Sequence, residues 1–194
     1  EIGGTTTILH KSTANSSFWF MGSNPSFTIL PFSNVNFTSE KRELFYGVTD
    51  LTFTISKNAS FYVTTYSGMG YGSNGTGTTL IDQNALFSLK QTNNNGSYPT
   101  WYSYGVITLN SNSTLSIIND YNNITSSNYN IYFTGSKSGF ILNNSLRVVL
   151  YNKIANVIYI YSTTSFEFNF NRINLFGKVI TIDSNISLDT LPTY

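Results

Sequence analysis

Cysteine is absent from these 194 residues, and histidine occurs once, as His10. Disulfide stapling and thiol chemistry are therefore excluded. Charged residues make up 10% of the chain, with a formal net charge of +1. That balance leaves no electrostatic footprint for nucleic acid or an anionic membrane surface. Strong helix formers are scarce, with four Ala, four Glu, two Gln and two Met, so helices are not expected to dominate. No apolar run approaches the roughly 18 residues that mark a membrane-spanning helix. Metal-ligand spacing is missing, and the side chains that acid–base catalysis draws on are few. The expectation is a protein that is not an enzyme, with no catalytic residue, no metal and no cofactor beyond covalent N-linked glycans.

What fills the chain is uncharged polar material. There are 25 Asn, 26 Ser and 25 Thr, about 39% of all residues, well above ordinary globular usage. Apolar residues still reach 40%, including 15 Phe and 14 Tyr, enough to bury a core. Few carboxylates also means few native ion pairs to lose in acid. Period-two alternation recurs: Leu51, Phe53 and Ile55; Phe61 and Val63; Leu115 and Ile117; Ile131 and Phe133; Leu146, Val148 and Leu150. Short strands separated by Asn/Gly/Ser clusters predict an all-β, immunoglobulin-like antiparallel β-sandwich. Pro31 predicts an edge strand or bulge. No internal repeat and no second domain boundary are evident.

The first residues stand apart from this body. Thr5, Thr6, Thr7, Ile8, Leu9 and His10 read as an extended strand after Gly3-Gly4, and residues 12–17 read as a hinge. The expected organisation is an arm and hinge over 1–17 and a β-body over 18–194. Such an arm either folds back as the first strand of its own sheet or fills a groove in a neighbour. Ile8 and Leu9 point to opposite faces, as a centrally inserted strand requires. Repeated head to tail, that contact does not close and builds a filament.

Nine sequons follow, at Asn15, Asn36, Asn58, Asn74, Asn95, Asn112, Asn123, Asn143 and Asn185, against about 6.6 expected by chance from the composition. Several fall in predicted loops, where a glycan can face water. The chain begins with Glu1, which is read as a mature form whose signal peptide has been removed, and its location as extracellular, at the cell surface. Gly70–Gly75 matches G-x-G-x-x-G, but no helix follows for a dinucleotide to meet, so it reads as a hairpin tip. Glu40-Lys41-Arg42-Glu43 reads as a solvated turn. The run from Tyr98 to Tyr104, with Trp101, reads either as a strand with one face in the core or as a sugar-stacking surface. Lys57 and Lys153 are candidates for an isopeptide staple.

The Gly-Gly/Thr-Thr-Thr-Ile-Leu arm, the Ser-Thr-Ala-Asn-Ser-Ser joint, the lack of cysteine and the Asn/Ser/Thr-rich body resemble the subunit of archaeal threads, extracellular filaments of thermoacidophilic archaea. The resemblance implies a pilin-like sandwich, heavy N-glycosylation and donor-strand exchange between copies, with Thr5–Leu9 inserted and Asn15 glycosylated beside the joint. The expected function is a structural filament subunit serving adhesion or cell–cell contact. Its partners would be copies of itself and cell-surface glycans, with no nucleic acid and no membrane span. A surface-layer or capsid component, and a carbohydrate-binding adhesin using Trp101, are the competing readings.

Overall fold

The computed structural model describes residues 1–11, 17–19, 24–46, 50–70, 76–93, 99–119, 129–134, 137–160, 165–167 and 173–182. The chain winds as successive coils. The first holds β1 (Thr5–His10), β2 (Phe18–Trp19) and β3 (Ser26–Ile29). The second holds β4 (Asn34–Ser39), β5 (Phe45–Tyr46) and β6 (Leu51–Ile55), and the third β7 (Ser60–Thr65) and β8 (Thr76–Ile81). Next come β9 (Leu86–Gln91), β10 (Trp101–Ser103) and β11 (Val106–Leu109), then β12 (Thr114–Asn119), β13 (Ile131–Phe133) and β14 (Lys137–Leu142). The last are β15 (Arg147–Ile160), β16 (Ser165–Glu167) and β17 (Ile173–Ile182).

Each strand pairs in parallel with its counterpart one coil away. The molecule is therefore a β-solenoid of stacked coils with three faces, and the expected antiparallel sandwich is incorrect. Alternation specifies which residues face inward, and it does so equally for a hairpin and for a coil. Strand direction is set by the connections, which here bend the chain to the next face instead of reversing it.

The first face stacks β1, β4, β7, β9, β12 and the start of β15. In-register pairing makes columns of its inward residues. One runs Val35, Phe61, Phe87, Leu115, Val148; the next runs Ile8, Phe37, Val63, Leu89, Ile117, Leu150. All but Ile8 are buried. On the opposite face Ile29, Ile55, Ile81, Leu109 and Leu142 form another column. Rings fill the centre: Phe61 and Phe87 stack at 5.7 Å and 17°, while Phe53 and Trp101 meet Phe87 edge-on at 5.2 and 5.7 Å. Edge-on and offset pairs suit the ring quadrupole, so the aromatic excess becomes a specific core.

An internal repeat is present after all, and its signature lies at one corner. The third face passes into the first through four-residue turns: Leu30–Ser33, Ser56–Ala59, Asp82–Ala85 and Asn110–Ser113. Each is closed by a bond from the fourth N–H to the first carbonyl, at 3.3, 3.0, 3.0 and 3.1 Å. The third residue has positive φ: Phe32 60°, Asn58 59°, Asn84 56° and Asn112 59°. Asparagine tolerates that conformation because its short amide bonds locally. The fourth residue, Ser33, Ala59, Ala85 or Ser113, is small and buried. Consecutive turns are also joined, since the N–H groups of Asn58 and Asn84 donate to the carbonyls of Gln83 and Ser111 at 2.9 and 3.0 Å. The sixth coil varies the motif: Asn144 takes φ 55°, Ser145 is buried, and Leu146 is pushed out to 63% exposure. Pro31 occupies the second turn position, where its fixed φ fits, and is neither a bulge nor part of a strand.

Candidate functional site

Thr5–His10 form β1, the outermost strand of the first face. It pairs in register with β4 of the same chain, from Thr5↔Asn34 to His10↔Ser39. Among the described residues no strand lies on its other edge. Gly4, at φ 71°, turns the chain into it, and Ile2 bridges to Ile29 on the neighbouring face. Thr6, Ile8 and His10 face inward and are half-buried; Thr5, Thr7 and Leu9 face outward, Leu9 at 53% exposure. Ile8 and Leu9 do point to opposite sides, but only Ile8 meets the core. His10 Nδ1 lies 3.1 Å from Ser17 Oγ and 3.3 Å from Ser39 Oγ. Beyond the expected hinge, Phe18 packs on Phe27 and Phe37 at 4.9 and 5.3 Å, so the first coil shares the core of the second.

Four sequons fall on described residues. Asn36 stands exposed on the outer face of β4. Asn58 and Asn112 are turn residues with positive φ, and Asn143 lies at the sixth-coil corner. The sequon spelling at Asn58 and Asn112 thus has a structural origin: the corner calls for asparagine, then a small buried residue, then a polar strand opener. Asn58 Oδ1 accepts from Asn84 Nδ2 at 2.9 Å, and Asn143 Nδ2 donates to Asn110 Oδ1 at 3.2 Å. Asn112 and Asn143 are exposed. Asn15, Asn74, Asn95, Asn123 and Asn185 lie outside the described residues.

The aromatic run divides by parity. Trp101 is fully buried, and its Nε1–H donates to Thr76 Oγ1 at 2.8 Å. It cannot stack on a sugar, which removes it from the adhesin reading. Tyr102 and Tyr132 point outward, half-buried, with centroids 4.9 Å apart, and Tyr104 lies 6.4 Å from Tyr102. Burial pushes the Tyr104 and Tyr129 hydroxyls above the ordinary tyrosine range. Glu43 is buried, not solvated as expected, whereas Glu40 and Lys41 are exposed. Lys57 is exposed at a turn, which removes it as a buried isopeptide donor; the Lys153 side chain and residues 71–75 lie outside the described residues. Among the described residues no group of three His, Cys, Asp or Glu could hold a metal ion, and no helix is long and apolar enough to cross a membrane.

A second feature escaped the sequence reading. The inward position at the end of each first-face strand is polar: His10, Ser39, Thr65, Gln91, Asn119 and Asn152 form one column. From Ser39 onward all are buried. Thr65 Oγ1 accepts from Gly68 N–H at 2.9 Å. Thr100 Oγ1 lies 2.6 Å from Gln91 Oε1 and 2.8 Å from Asn119 Oδ1, and Asn130 Nδ2 donates to the Tyr151 carbonyl at 3.0 Å. This seam binds polar groups where connections of unequal length leave the strands. Its signal was a polar residue two places after each inward apolar pair, visible only once the coils are aligned. Comparison with protein-family models, with curated proteins and with solved structures finds no match.

Proposed function

We propose that this chain is a structural subunit of an extracellular surface filament, built from copies of itself by continuing the parallel ladders from one solenoid into the next. The observation that carries the proposal is the second edge of β1. The strand Thr-Thr-Thr-Ile-Leu-His has no carboxylate, lysine, arginine or proline and no bulge, the devices that normally block strand addition. Its inward positions, Thr6 and Ile8, head the columns that run to Val148 and Leu150. By register Ile173 and Leu175 of β17, the last strand among the described residues, continue those columns. Head-to-tail stacking would thus place Ile173 by Thr6 and Leu175 by Ile8. The interface is heterologous and extends without closing. In this reading β1 stays in its own sheet and offers its free edge, in place of an arm lent to a groove. The sequon residue Asn36, exposed on the outer face of β4 where no corner dictates it, supports a glycosylated, exported chain, with adhesion or cell–cell contact as its role.

Electron microscopy of native material, with sedimentation of the purified chain over a concentration series, tests the proposal. Filaments of solenoid width, lost on deleting residues 1–11, are expected. A monodisperse monomer at all concentrations would count against it. The outward Tyr102–Tyr132 pair favours a second reading, surface glycan binding. Unchanged glycan retention by Tyr102→Ala with Tyr132→Ala would remove it.

A further inference from the structure

The outward side of the second face departs from the spelling of the first. On the first face the central outward column runs Thr7, Asn36, Tyr62, Ser88, Ser116 and Val149, with one tyrosine among its positions. On the second face Tyr102, Tyr132 and Tyr159 take three successive register positions. The ring centroids of Tyr102 and Tyr132 are 4.9 Å apart, with the planes tilted by 44°. Both residues are half-buried, so each keeps part of its surface in water. Their strands are short: β10 and β13 have 3 residues each, against 6 for β9 and β12 on the first face of the same coils. The ladder between the fourth and fifth coils is therefore brief here, and the chain has no cysteine to staple it.

We propose that Tyr102 and Tyr132 form an oxidative coupling site, at which a one-electron oxidant joins the two rings into a dityrosine staple between the fourth and fifth coils. The co-reactant is hydrogen peroxide acting through a haem peroxidase. Each phenol gives up one electron and one proton. The two phenoxyl radicals join through ring carbons ortho to oxygen, and the hydrogens displaced from those carbons return to the oxygens. The two electrons and two protons released reduce one peroxide to two waters. Coupling needs both radicals in contact, and the parallel register supplies that contact beforehand, as an effective concentration that the unfolded chain lacks. Tyr104 is a poorer partner for Tyr102, since its ring lies 6.4 Å away. The staple closes a loop that includes the connection from β12 to β13, so it restricts the unfolded chain as a disulfide does. It forms within one copy and does not depend on how copies assemble.

The test is a haem peroxidase with peroxide on the dilute, purified full chain, both folded and in denaturant, followed by cleavage at Asp120 and mass spectrometry. In the folded chain the peptides bearing Tyr102 and Tyr132 should stay joined, lighter than their sum by two hydrogen atoms, in a product that migrates as a monomer. The yield should fall about tenfold or more in denaturant. It should vanish in Tyr102→Phe and in Tyr132→Phe, which keep the rings, and persist in Tyr104→Phe. The stapled chain should unfold at a higher denaturant concentration than the parent. No coupling in the folded chain, coupling of Tyr102 to Tyr104, links only between chains, or a link that survives Tyr132→Phe would each overturn the proposal. Equal yield in denaturant, or an unchanged unfolding midpoint, would do so as well.

Discussion

Asn84 offers a measurement of the corner motif, because two substitutions there separate backbone from side chain. Asn84 holds φ 56° and its Nδ2 donates to Asn58 Oδ1 at 2.9 Å. Alanine keeps the β-carbon but loses the local amide bonding that eases asparagine into the left-handed region, so it meets more of the roughly 1–2 kcal/mol penalty there. It also removes one exposed side-chain hydrogen bond, worth about 0.5–1 kcal/mol. Asn84→Ala should therefore lose about 1–2 kcal/mol, the part of the penalty that asparagine escapes plus the lost bond. Asn84→Gly removes the same bond but relieves the backbone, so its loss should stay near 1 kcal/mol or below. The backbone N–H, which donates to the Ser111 carbonyl at 3.0 Å, is kept in both. Denaturant unfolding monitored by tryptophan fluorescence gives the comparison, with the slope as a check that cooperativity survives, since stacked coils can unfold in sections. Alanine equal to or better than glycine would refute the turn assignment, and with it the corner that distinguishes a coil from a hairpin.

Other perturbations read other parts of the molecule. Phe87→Ala removes a fully buried ring that touches Phe53, Phe61 and Trp101; a loss of about 3–5 kcal/mol is expected by denaturant unfolding. Trp101→Phe keeps most of the volume but strands the buried Thr76 hydroxyl that accepts from Nε1. It should cost about 1–3 kcal/mol, while the double change with Thr76→Val recovers part of it. Tyr104 has its hydroxyl pKa raised above 10.0 by burial. A folded-state pKa above the unfolded one gives stability that is full below pH 10 and lost as pH rises through the folded value. Alkaline melting curves of Tyr104→Phe should therefore fall less steeply above pH 10 than those of the parent. Site-resolved mass spectrometry of native protein should find glycan on Asn36 or Asn112; both bare would argue against export through a glycosylation pathway.

Inward residues were legible in the sequence because alternation needs no knowledge of direction. Leu51, Phe53 and Ile55 are all buried, as are Phe61, Val63, Leu115, Ile117, Ile131 and Phe133. Leu146 shows the limit of parity: it matches Val148 and Leu150 in phase, yet its corner takes the left-handed residue one position early, at Asn144, and leaves Leu146 in water. The architecture was missed because its repeat is carried by turns of one conformation with variable spelling, Leu-Pro-Phe-Ser, Ser-Lys-Asn-Ala, Asp-Gln-Asn-Ala and Asn-Ser-Asn-Ser. Unequal coil lengths also blur any fixed period: Val35, Phe61, Phe87, Leu115 and Val148 share a column at irregular spacing. At β1 the sequence identified the strand but could not choose its partner, since pairing with β4 depends on a coil register that local pattern does not encode.

The composition itself takes on a different meaning in this fold. In a parallel in-register stack each outward side chain sits against the residue at the same position one coil above, about 4.8 Å away. A column of like charges at that spacing costs about 1 kcal/mol per contact in bulk water, and several times more near a low-dielectric surface. Uncharged amides and hydroxyls carry no such penalty, and they can bond along the column, as Asn84 does to Asn58 and Asn143 to Asn110. The outward columns follow that rule. Thr5, Asn34, Ser60, Leu86, Thr114 and Arg147 include one charge, and Leu9, Thr38, Thr64, Lys90, Ile118 and Tyr151 include one. Scarcity of charge and abundance of Asn, Ser and Thr are thus what repeated stacking of like positions demands, without appeal to an acidic setting. The same argument reaches the free edge of β1: Thr5, Thr7 and Leu9 place no charge against an incoming strand, so the property that lets coils stack within the chain also leaves its first strand open to one more.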